Sequence, residues 1–343
     1  MMNRTKLLAF CMAALCVTTV GLTRCGGKSA DRQVVIYTTV DQVYSEPILK
    51  AYEARTGVRV KAVYDVEAAK TTGLVKRLEA EKTRPQADVF WNGEFAQTIG
   101  LAEKGVLEVY RSPSAGDIPA EFKDPEGRWA GAGGRARIFI VNTHRLKAAD
   151  YPATLQDMLD PRWPADAIGM ANPMFGTMAT QAAALYATRG AEPSLKFFKA
   201  LRERGVRVLD GNSVVRDLVA NGQLAFGLTD TDDAAEAIQR GAPVKVIAPD
   251  QGKEGTLVIP GTVAMVAGAP HPVQARALID HLLSAAAEAE LMRLGGCQTS
   301  LRSTGAVPGQ SAFKGIKAMT VTLPAVQAML PRALAELREL YVR

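Results

Sequence analysis

The run from Leu224 to Asp233 ends an apolar segment in three carboxylates within four positions, at Asp230, Asp232 and Asp233. The apolar run predicts a buried strand, and open α/β sheets bind ligands just past the carboxyl ends of their strands. Three carboxylates this close repel one another by roughly 1 to 4 kcal/mol per pair. A metal ion, an ammonium group or a neighbouring arginine would offset that repulsion. The alternative is a cap on a helix that we expect to begin near Ala234, although one cap accounts for only one aspartate.

The first 24 residues have the pattern of an export signal, with basic residues ahead of an apolar stretch at 7–22. The four residues that end at Cys25 resemble the lipobox of bacterial lipoproteins, although Arg24 departs from that pattern. We therefore expect a mature protein held to a membrane by lipid on Cys25, and the alternative is plain cleavage near Ala30. No later segment approaches the roughly 20 apolar residues that a bilayer requires.

Composition excludes several classes of protein. Of the four cysteines, only Cys297 lies beyond position 25, so an internal disulfide is excluded in the mature chain. The formal charge of +6 falls by three when the signal is removed, and the rest is interspersed, so we expect no nucleic-acid partner. The chain has three histidines in no suggestive arrangement and lacks nucleophile-elbow, zinc-protease and P-loop motifs. We therefore expect no enzymatic activity.

The elements that would position the acidic cluster alternate along the chain. Strands are predicted at Val34–Tyr37, Val58–Val63 and Ala87–Trp91, with helices between them that begin near Ser45 and carry an apolar stripe at Leu74, Val75 and Leu78. This βαβαβ order favours a parallel sheet in an α/β fold.

The second half continues the pattern after a polar, Pro- and Gly-rich stretch at 111–134, which we interpret as a boundary between two lobes. Further strands are predicted at 137–141, 244–247 and 263–266, and helices at 272–284 and 323–341.

Four short motifs occur in an order and spacing that resemble one family. They are Tyr37-Thr38-Thr39, Ala87-Asp88-Val89-Phe90-Trp91, Gly134-Arg135-Ala136-Arg137 and Asn221-Gly222-Gln223-Leu224. The chain resembles the periplasmic ferric-iron-binding proteins of ABC importers, within the type II solute-binding proteins. The resemblance implies a periplasmic receptor that delivers its ligand to permease and ATPase subunits.

The resemblance also implies a fold class: α/β, with the two-lobed type II periplasmic-binding-protein fold and a ligand cleft between the lobes. One lobe would comprise 31–134 and 261–297, and the other 135–260 and 298–343. Strands near 131–136 and 258–263 would join them and allow hinge closure.

The family's metal ligands correspond here to positions that carry other residue types. Its histidine corresponds to Asp41, its glutamate to Gly93 or Glu94, and its paired tyrosines to Asp232 and Asp233. Phenolate oxygens select Fe(III), whereas carboxylates suit hard cations generally or an ammonium group. The resemblance therefore implies a transport role with Asp41, Glu94, Asp232 and Asp233 as metal ligands, and it puts ferric iron itself in question.

The same family holds an anion, phosphate or carbonate, beside the metal. The corresponding positions here are Gly176 and Thr177, and Asn212 and Ser213, each ahead of helical sequence where free N–H groups favour an anion. Arg216 on the following helix is a further candidate. Thr39 and Trp91, at the ends of two predicted strands, complete the expected binding residues.

Two ligand classes remain open. The first is a hard metal cation, bound with or without an anion. The second is a small organic solute such as an aminophosphonate, a phosphorylated compound or a polyamine. In that case the amine of the solute would face Asp230, Asp232 and Asp233. The anionic group of the solute would face Gly176, Thr177, Asn212 and Arg216. No resident cofactor is expected in either case.

Overall fold

The computed structural model describes residues 32–65, 71–302 and 315–342. The predicted signal at 1–24 and the predicted lipid attachment at Cys25 lie outside the described residues. No helix in the described ranges is both long and apolar enough to span a membrane.

Helices and strands alternate through the first part of the chain. The elements are β1 (Gln33–Thr38), α1 (Gln42–Thr56), β2 (Arg59–Tyr64), α2 (Thr72–Ala80), β3 (Val89–Asn92), α3 (Ala96–Glu103), β4 (Leu107–Glu108) and the long strand β5 (Trp129–Asn142).

The second part of the chain begins with a parallel βα segment, and its last strand pairs with strands of the first part. Its elements are β6 (Ile168–Ala171), α4 (Gly176–Arg189), α5 (Ala191–Arg204), β7 (Arg207–Leu209), α6 (Asn212–Ala220), β8 (Phe226–Asp230), α7 (Thr231–Gln239), β9 (Val244–Ile247), β10 (Val258–Val266), α8 (Pro272–Leu282), α9 (Ala285–Leu294) and α10 (Leu323–Tyr341).

The strands follow the order β2-β1-β3-β10-β5-β8-β6-β7, with β4 beside β10 and β9 beside β5. The predicted parallel pairing of β1 with β2 and β3 is confirmed. Strands β10 and β5 are antiparallel to their neighbours, so the complete sheet is mixed. The predicted α/β class is therefore confirmed.

Strand β5 serves both halves of the sheet. Its first residues pair with β10, and from Arg137 onward it pairs with β8 and β9. Arg135 lies opposite Ile259, and Arg137 lies opposite Asp230. The change of partner thus occurs where two arginines project from one strand. The predicted lobe boundaries, and hinge motion at 131–136 and 258–263, stay predictions.

The polar stretch at 111–134 is not irregular throughout, because β5 already begins at Trp129. Its glycines mark close packing at this point. A Cβ on Gly131 would lie 2.7 Å from a Leu301 methyl carbon, and one on Gly133 would lie 2.6 Å from the Cys297 sulfur. Glycine in a strand interior often marks such a close approach, and here it resembles a loop signal in the sequence.

Candidate functional site

The acidic cluster lies at the junction of β8 and α7. The helix begins at Thr231, so the predicted start near Ala234 is wrong by three residues. Asp230 is therefore the N-cap, and it forms a capping box with Asp233. The Asp233 carboxylate accepts hydrogen bonds from the Asp230 N–H at 3.4 Å and from the Thr229 hydroxyl at 2.7 Å. Capping thus involves two of the three aspartates, whereas the sequence alone suggested one.

Two arginines from β5 face the same carboxylates. Arg137 Nη1 lies 2.7 Å from Asp230 Oδ1, and Arg135 Nη1 lies 2.8 Å from Asp232 Oδ2 and 3.4 Å from Asp230 Oδ2. The β5–β8 register produces this arrangement, because it places Arg137 directly opposite Asp230. A neighbouring arginine was one of the three groups expected to offset the repulsion between the carboxylates, and the structure places two arginines there.

Arg137 is fully buried and also contacts the polar residues around Asp230. Its Nη1 donates to the Thr177 hydroxyl at 3.0 Å and to the Asn212 side-chain oxygen at 3.2 Å. Thr177 and Asn212 in turn donate to Asp230 Oδ2 at 2.7 and 3.1 Å. These hydrogen bonds connect the first residues of α4 and α6 to the end of β8.

Arg216 has a different environment from the one predicted. Its guanidinium contacts the carboxylates of Glu236, Asp217 and Asp233, the last at 3.5 Å. It lines neither of the two cavities described below. The structure therefore places Arg216 in an ion-pair network at the first turn of α7.

The three aspartates differ in acidity. Burial raises the pKa of Asp230, but the charges of Arg137 and Arg135 outweigh burial and hold that pKa below its ordinary value. Burial raises the pKa of Asp232, an effect that Arg135 opposes and Asp230 reinforces. Burial and both neighbouring carboxylates raise the pKa of Asp233 well above its ordinary value. The most stable negative charge of the cluster is therefore at Asp230, between two guanidinium groups.

One oxygen from each of Asp230, Asp232 and Asp233 lies within 4.8 Å of the others, the one such group with metal-ligand character in the described ranges. Carboxylate oxygens are suitable ligands for hard cations. Any cation here would compete with Arg135 and Arg137 for the same oxygens.

The first cavity opens beside this cluster, and its space not filled by atoms, open solvent included, is about 420 Å³. The predicted binding residues that line it come from both parts of the sheet: Thr39, Gly176, Thr177, Asn212 and Asp230. The cavity is also lined by Thr71, Gly93, Arg135, Asn172 and Asp210. A few convergent polar groups are typical of small-molecule sites.

Two helices begin at the wall of the first cavity. The N-caps of α4 and α6 are Phe175 and Gly211, and neither side chain caps its helix. Both residues line the cavity. The first N–H groups of each helix have no intrahelical acceptor, and the positive end of the helix dipole adds to their attraction for an anion.

The second cavity, about 300 Å³, lies on the other side of Arg135. Arg135 and Gly93 line both cavities, and the Arg135 Nη2 donates to the Gly93 carbonyl. Asp41, Asp232 and Cys297 line the second cavity alone. Burial raises the pKa of the Cys297 thiol, so this sulfur stays protonated.

Five of the predicted binding residues line neither cavity: Trp91, Glu94, Ser213, Arg216 and Asp233. Glu94 is buried, and its carboxylate accepts from the N–H groups of Ala96 and Gln97 at the start of α3 and from the Thr180 hydroxyl at 2.9 Å. Its donors are thus protein groups, and it is Gly93 that lines the cavities.

Sequence reasoning did not select Asn172 or Asp210, which lie just ahead of the residues it chose. Both precede a helix start, and this position in the sequence is the signal that could have identified them. In the sequence, Arg135 and Arg137 belong only to a short motif, because nothing local pairs them with residues more than 90 positions away.

Comparison with known proteins places the chain in a family. A family model described as bacterial extracellular solute-binding protein matches residues 85–302. Iron uptake protein A1 of Synechocystis is 26% identical over 269 residues, covering 74% of this chain and 71% of that protein. A putative 2-aminoethylphosphonate-binding periplasmic protein of Salmonella typhi is 27% identical over 286 residues, covering 82% and 80%.

The fold is that of known periplasmic receptors. The crystal structure of iron-bound HitA from Pseudomonas aeruginosa superimposes with a TM-score of 0.79 at 21% identity, covering 90% of this chain and 98% of HitA. The predicted two-lobed type II fold is thus confirmed. The chain belongs to the bacterial extracellular solute-binding proteins and is a periplasmic solute-binding protein of the ABC importer type, a class whose members bind ligands rather than catalyse reactions.

Proposed function

We propose that this receptor captures a small organic solute by a phosphate or phosphonate group bound in the first cavity. The carrying observation is the convergence of two uncapped helix starts, at Gly176 and Asn212, with the Arg135 guanidinium. Backbone N–H groups, a helix dipole and an arginine are the combination that phosphate oxygens favour. Thr39 and Thr177 line the same cavity.

The charge balance of the cluster supports an anion over a free metal ion. Arg135 and Arg137 already contact Asp230 and Asp232, so these carboxylates have the cation that their repulsion requires. A metal ion would have to displace a guanidinium and leave it buried without a partner, which is costly. An anion near Arg135 instead adds to a charge network without breaking it.

The aminoethylphosphonate-binding relative covers 82% of this chain, which supports the same ligand chemistry. The positions that carry tyrosine in the ferric proteins carry Asp232 and Asp233 here, as the resemblance implies. Neither residue supplies the phenolate that selects Fe(III).

A hard metal cation is the second candidate, and the mutual proximity of oxygens from Asp230, Asp232 and Asp233 favours it. The iron uptake relative is consistent with this alternative. In that case Asp232 and Asp233 would be ligands, with Asp41 at the rim of the second cavity, and Arg135 would have to move.

The receptor would deliver its ligand to the permease and ATPase subunits of an importer. Lipid on Cys25 would hold it near them. Strands β5 and β10 would act as the hinge on which two lobes close over the cavity.

The decisive experiment compares organic and metal ligands on the purified mature protein. Elemental analysis by plasma mass spectrometry, together with native mass spectrometry, should find substoichiometric iron and a retained organic mass. Calorimetric titration should give measurable affinity for phosphonate or phosphate monoesters. Stoichiometric iron, together with no heat from any phosphorus-containing solute, would overturn the proposal.

A further inference from the structure

A third cavity lies in the polar segment that leads into β5. All the residues that line it lie between positions 110 and 130, and none of them lines the first or the second cavity. The volume of this third cavity is about 380 Å³, within the range of about 300 to 1,000 Å³ that is usual for small-molecule sites. The segment that the sequence marks as a boundary therefore contains a space large enough for a ligand of its own.

Much of the third cavity is lined by apolar surface. Trp129 and Ala130 at the start of β5 line it together with Ala115, and each of the three is only 6 or 7% exposed. Tyr110 lines it too, and its hydroxyl donates to both carboxylate oxygens of Asp280 on α8 at 2.9 Å. Because the hydroxyl is already occupied, the tyrosine contributes the apolar surface of its ring.

Two cationic side chains line the same cavity, and their hydrogen bonds go to backbone carbonyls. Arg111 Nη2 donates to the Pro125 carbonyl at 2.8 Å, and Lys123 Nζ donates to the Ala115 carbonyl at 3.1 Å. An arginine side chain has five N–H donors and a lysine has three, so both retain donors for a ligand. A carbonyl has no net charge, so these contacts leave both positive charges uncompensated.

The carboxylates around the cavity are already paired. Asp124 lines the cavity, but its two oxygens accept from Arg128 Nε at 2.7 Å and from Arg128 Nη2 at 2.9 Å. Arg128 also contacts Glu126 at 3.2 Å, and Asp117 forms an ion pair with Arg302. The two cations are therefore the charges of this described lining that remain available to a ligand.

Arg111 is positioned by local packing before any ligand binds. Gly127 has a φ of +85°, which favours glycine, and a Cβ at this position would lie 2.7 Å from Arg111 Cγ. The Gly127 carbonyl also accepts from the Tyr110 N–H at 2.9 Å, which joins the two sides of the segment. A side chain ordered in advance loses less conformational entropy on binding.

We infer that the third cavity binds a small organic carboxylate with an aromatic or branched apolar body. The apolar body lies against Trp129 and Tyr110, and the carboxylate contacts Arg111 and Lys123. A carboxylate suits an arginine because two N–H groups can donate to its two oxygens. The two positive charges disfavour a metal cation or a polyamine in the same space. This site is separate from the proposed solute site and does not depend on it.

The test is calorimetric titration of the mature protein with 4-phenylbutyrate, with the uncharged 4-phenyl-1-butanol, and with butyrate, which lacks the ring. The uncharged compound should bind about ten- to hundredfold more weakly than phenylbutyrate, as expected for a lost charge-assisted contact. Butyrate should bind at least about tenfold more weakly, because the apolar contacts are lost. Equal affinity for phenylbutyrate and phenylbutanol, or no binding of phenylbutyrate at millimolar concentration, would overturn the inference.

Variants locate the bound carboxylate. Arg111→Gln should weaken phenylbutyrate binding about tenfold and leave phenylbutanol binding unchanged. Ala120 lines the cavity from an exposed position, so Ala120→Trp should fill the space and abolish binding of both compounds, whereas Ala120→Ser should not. Arg145→Gln is the matched control, because Arg145 is also exposed and donates to a backbone carbonyl, that of Gly222, but lines none of the three cavities. Full phenylbutyrate affinity in folded Arg111→Gln or Ala120→Trp would place the bound carboxylate elsewhere and overturn the inference.

Discussion

Arg135 is the residue whose removal separates the anion and metal hypotheses most sharply. It contacts Asp232 at 2.8 Å and Asp230 at 3.4 Å, and it lines both cavities. In Arg135→Gln, an anionic ligand loses a charge-assisted contact of about 1.5 to 3 kcal/mol, so its affinity should fall about ten- to hundredfold. A cation in the acidic cluster should instead bind more tightly, because the carboxylates no longer have that competitor.

The same change should lower the stability of the ligand-free protein. Removing one partner from a buried ion pair typically costs about 3 to 5 kcal/mol. We expect the lower part of that range, because Arg137 continues to neutralise Asp230 and because Asp232, whose pKa is already raised by burial, can take up a proton. Arg135→Lys keeps the charge and should retain much of both stability and anion affinity.

The assay is calorimetric titration with 2-aminoethylphosphonate and, separately, with ferric citrate, alongside urea unfolding. Arg128→Gln serves as a matched control, since Arg128 forms a partly buried ion pair with Asp124 at 2.7 Å and lines neither cavity. An unchanged or stronger phosphonate affinity in Arg135→Gln would refute the anion role of Arg135. Weaker ferric binding in the same variant would refute the competition argument.

Three further predictions concern motion, anchoring and pH. Saturating ligand should reduce the radius of gyration in small-angle scattering, and an unchanged radius would argue against hinge closure on β5 and β10. Cys25→Ser should abolish labelling with a fatty-acid analogue, and persistent labelling would place the anchor elsewhere. Burial and Arg55 lower the pKa of His281 to about 4, so the stability contributed by its neutral ring is complete above about pH 6.5 and is lost as the pH falls toward 4. His281→Gln should therefore flatten urea-unfolding stability between pH 4 and 7, whereas the exposed His144→Gln should parallel wild type, and parallel profiles for both variants would contradict this assignment.

Most strands and helices were predictable from the sequence because each depends on local periodicity. The parallel start β1-α1-β2-α2-β3 follows from alternating apolar runs, and α8 and α10 from amphipathic spacing. Strand β5 was predicted too short. Its first residues include glycines that read as a loop, and only the packing of Leu301 and Cys297 against them reveals why glycine is needed in a strand.

The binding surface was predictable in part. Gly176 and Asn212, the anion-binding positions that the resemblance implies, do line the first cavity. The cavity residue after β3 was not predictable, since Glu94 and Gly93, which lie just ahead of α3, are equally plausible in the sequence. Glu94 satisfies the first N–H groups of that helix, which leaves Gly93 at the cavity wall.

The charge that the acidic run requires could not be read from the run itself. Whether Asp230, Asp232 and Asp233 attract a cation depends on what stands opposite them, and the β5–β8 register places Arg137 across from Asp230, 93 residues away in the chain. A shift of that register by one residue would turn the arginine to the other face of the sheet and leave the carboxylates without their counterion. The pairing of two strands thus determines whether these three aspartates face a guanidinium group, because the balance of charge belongs to the sheet and not to the segment.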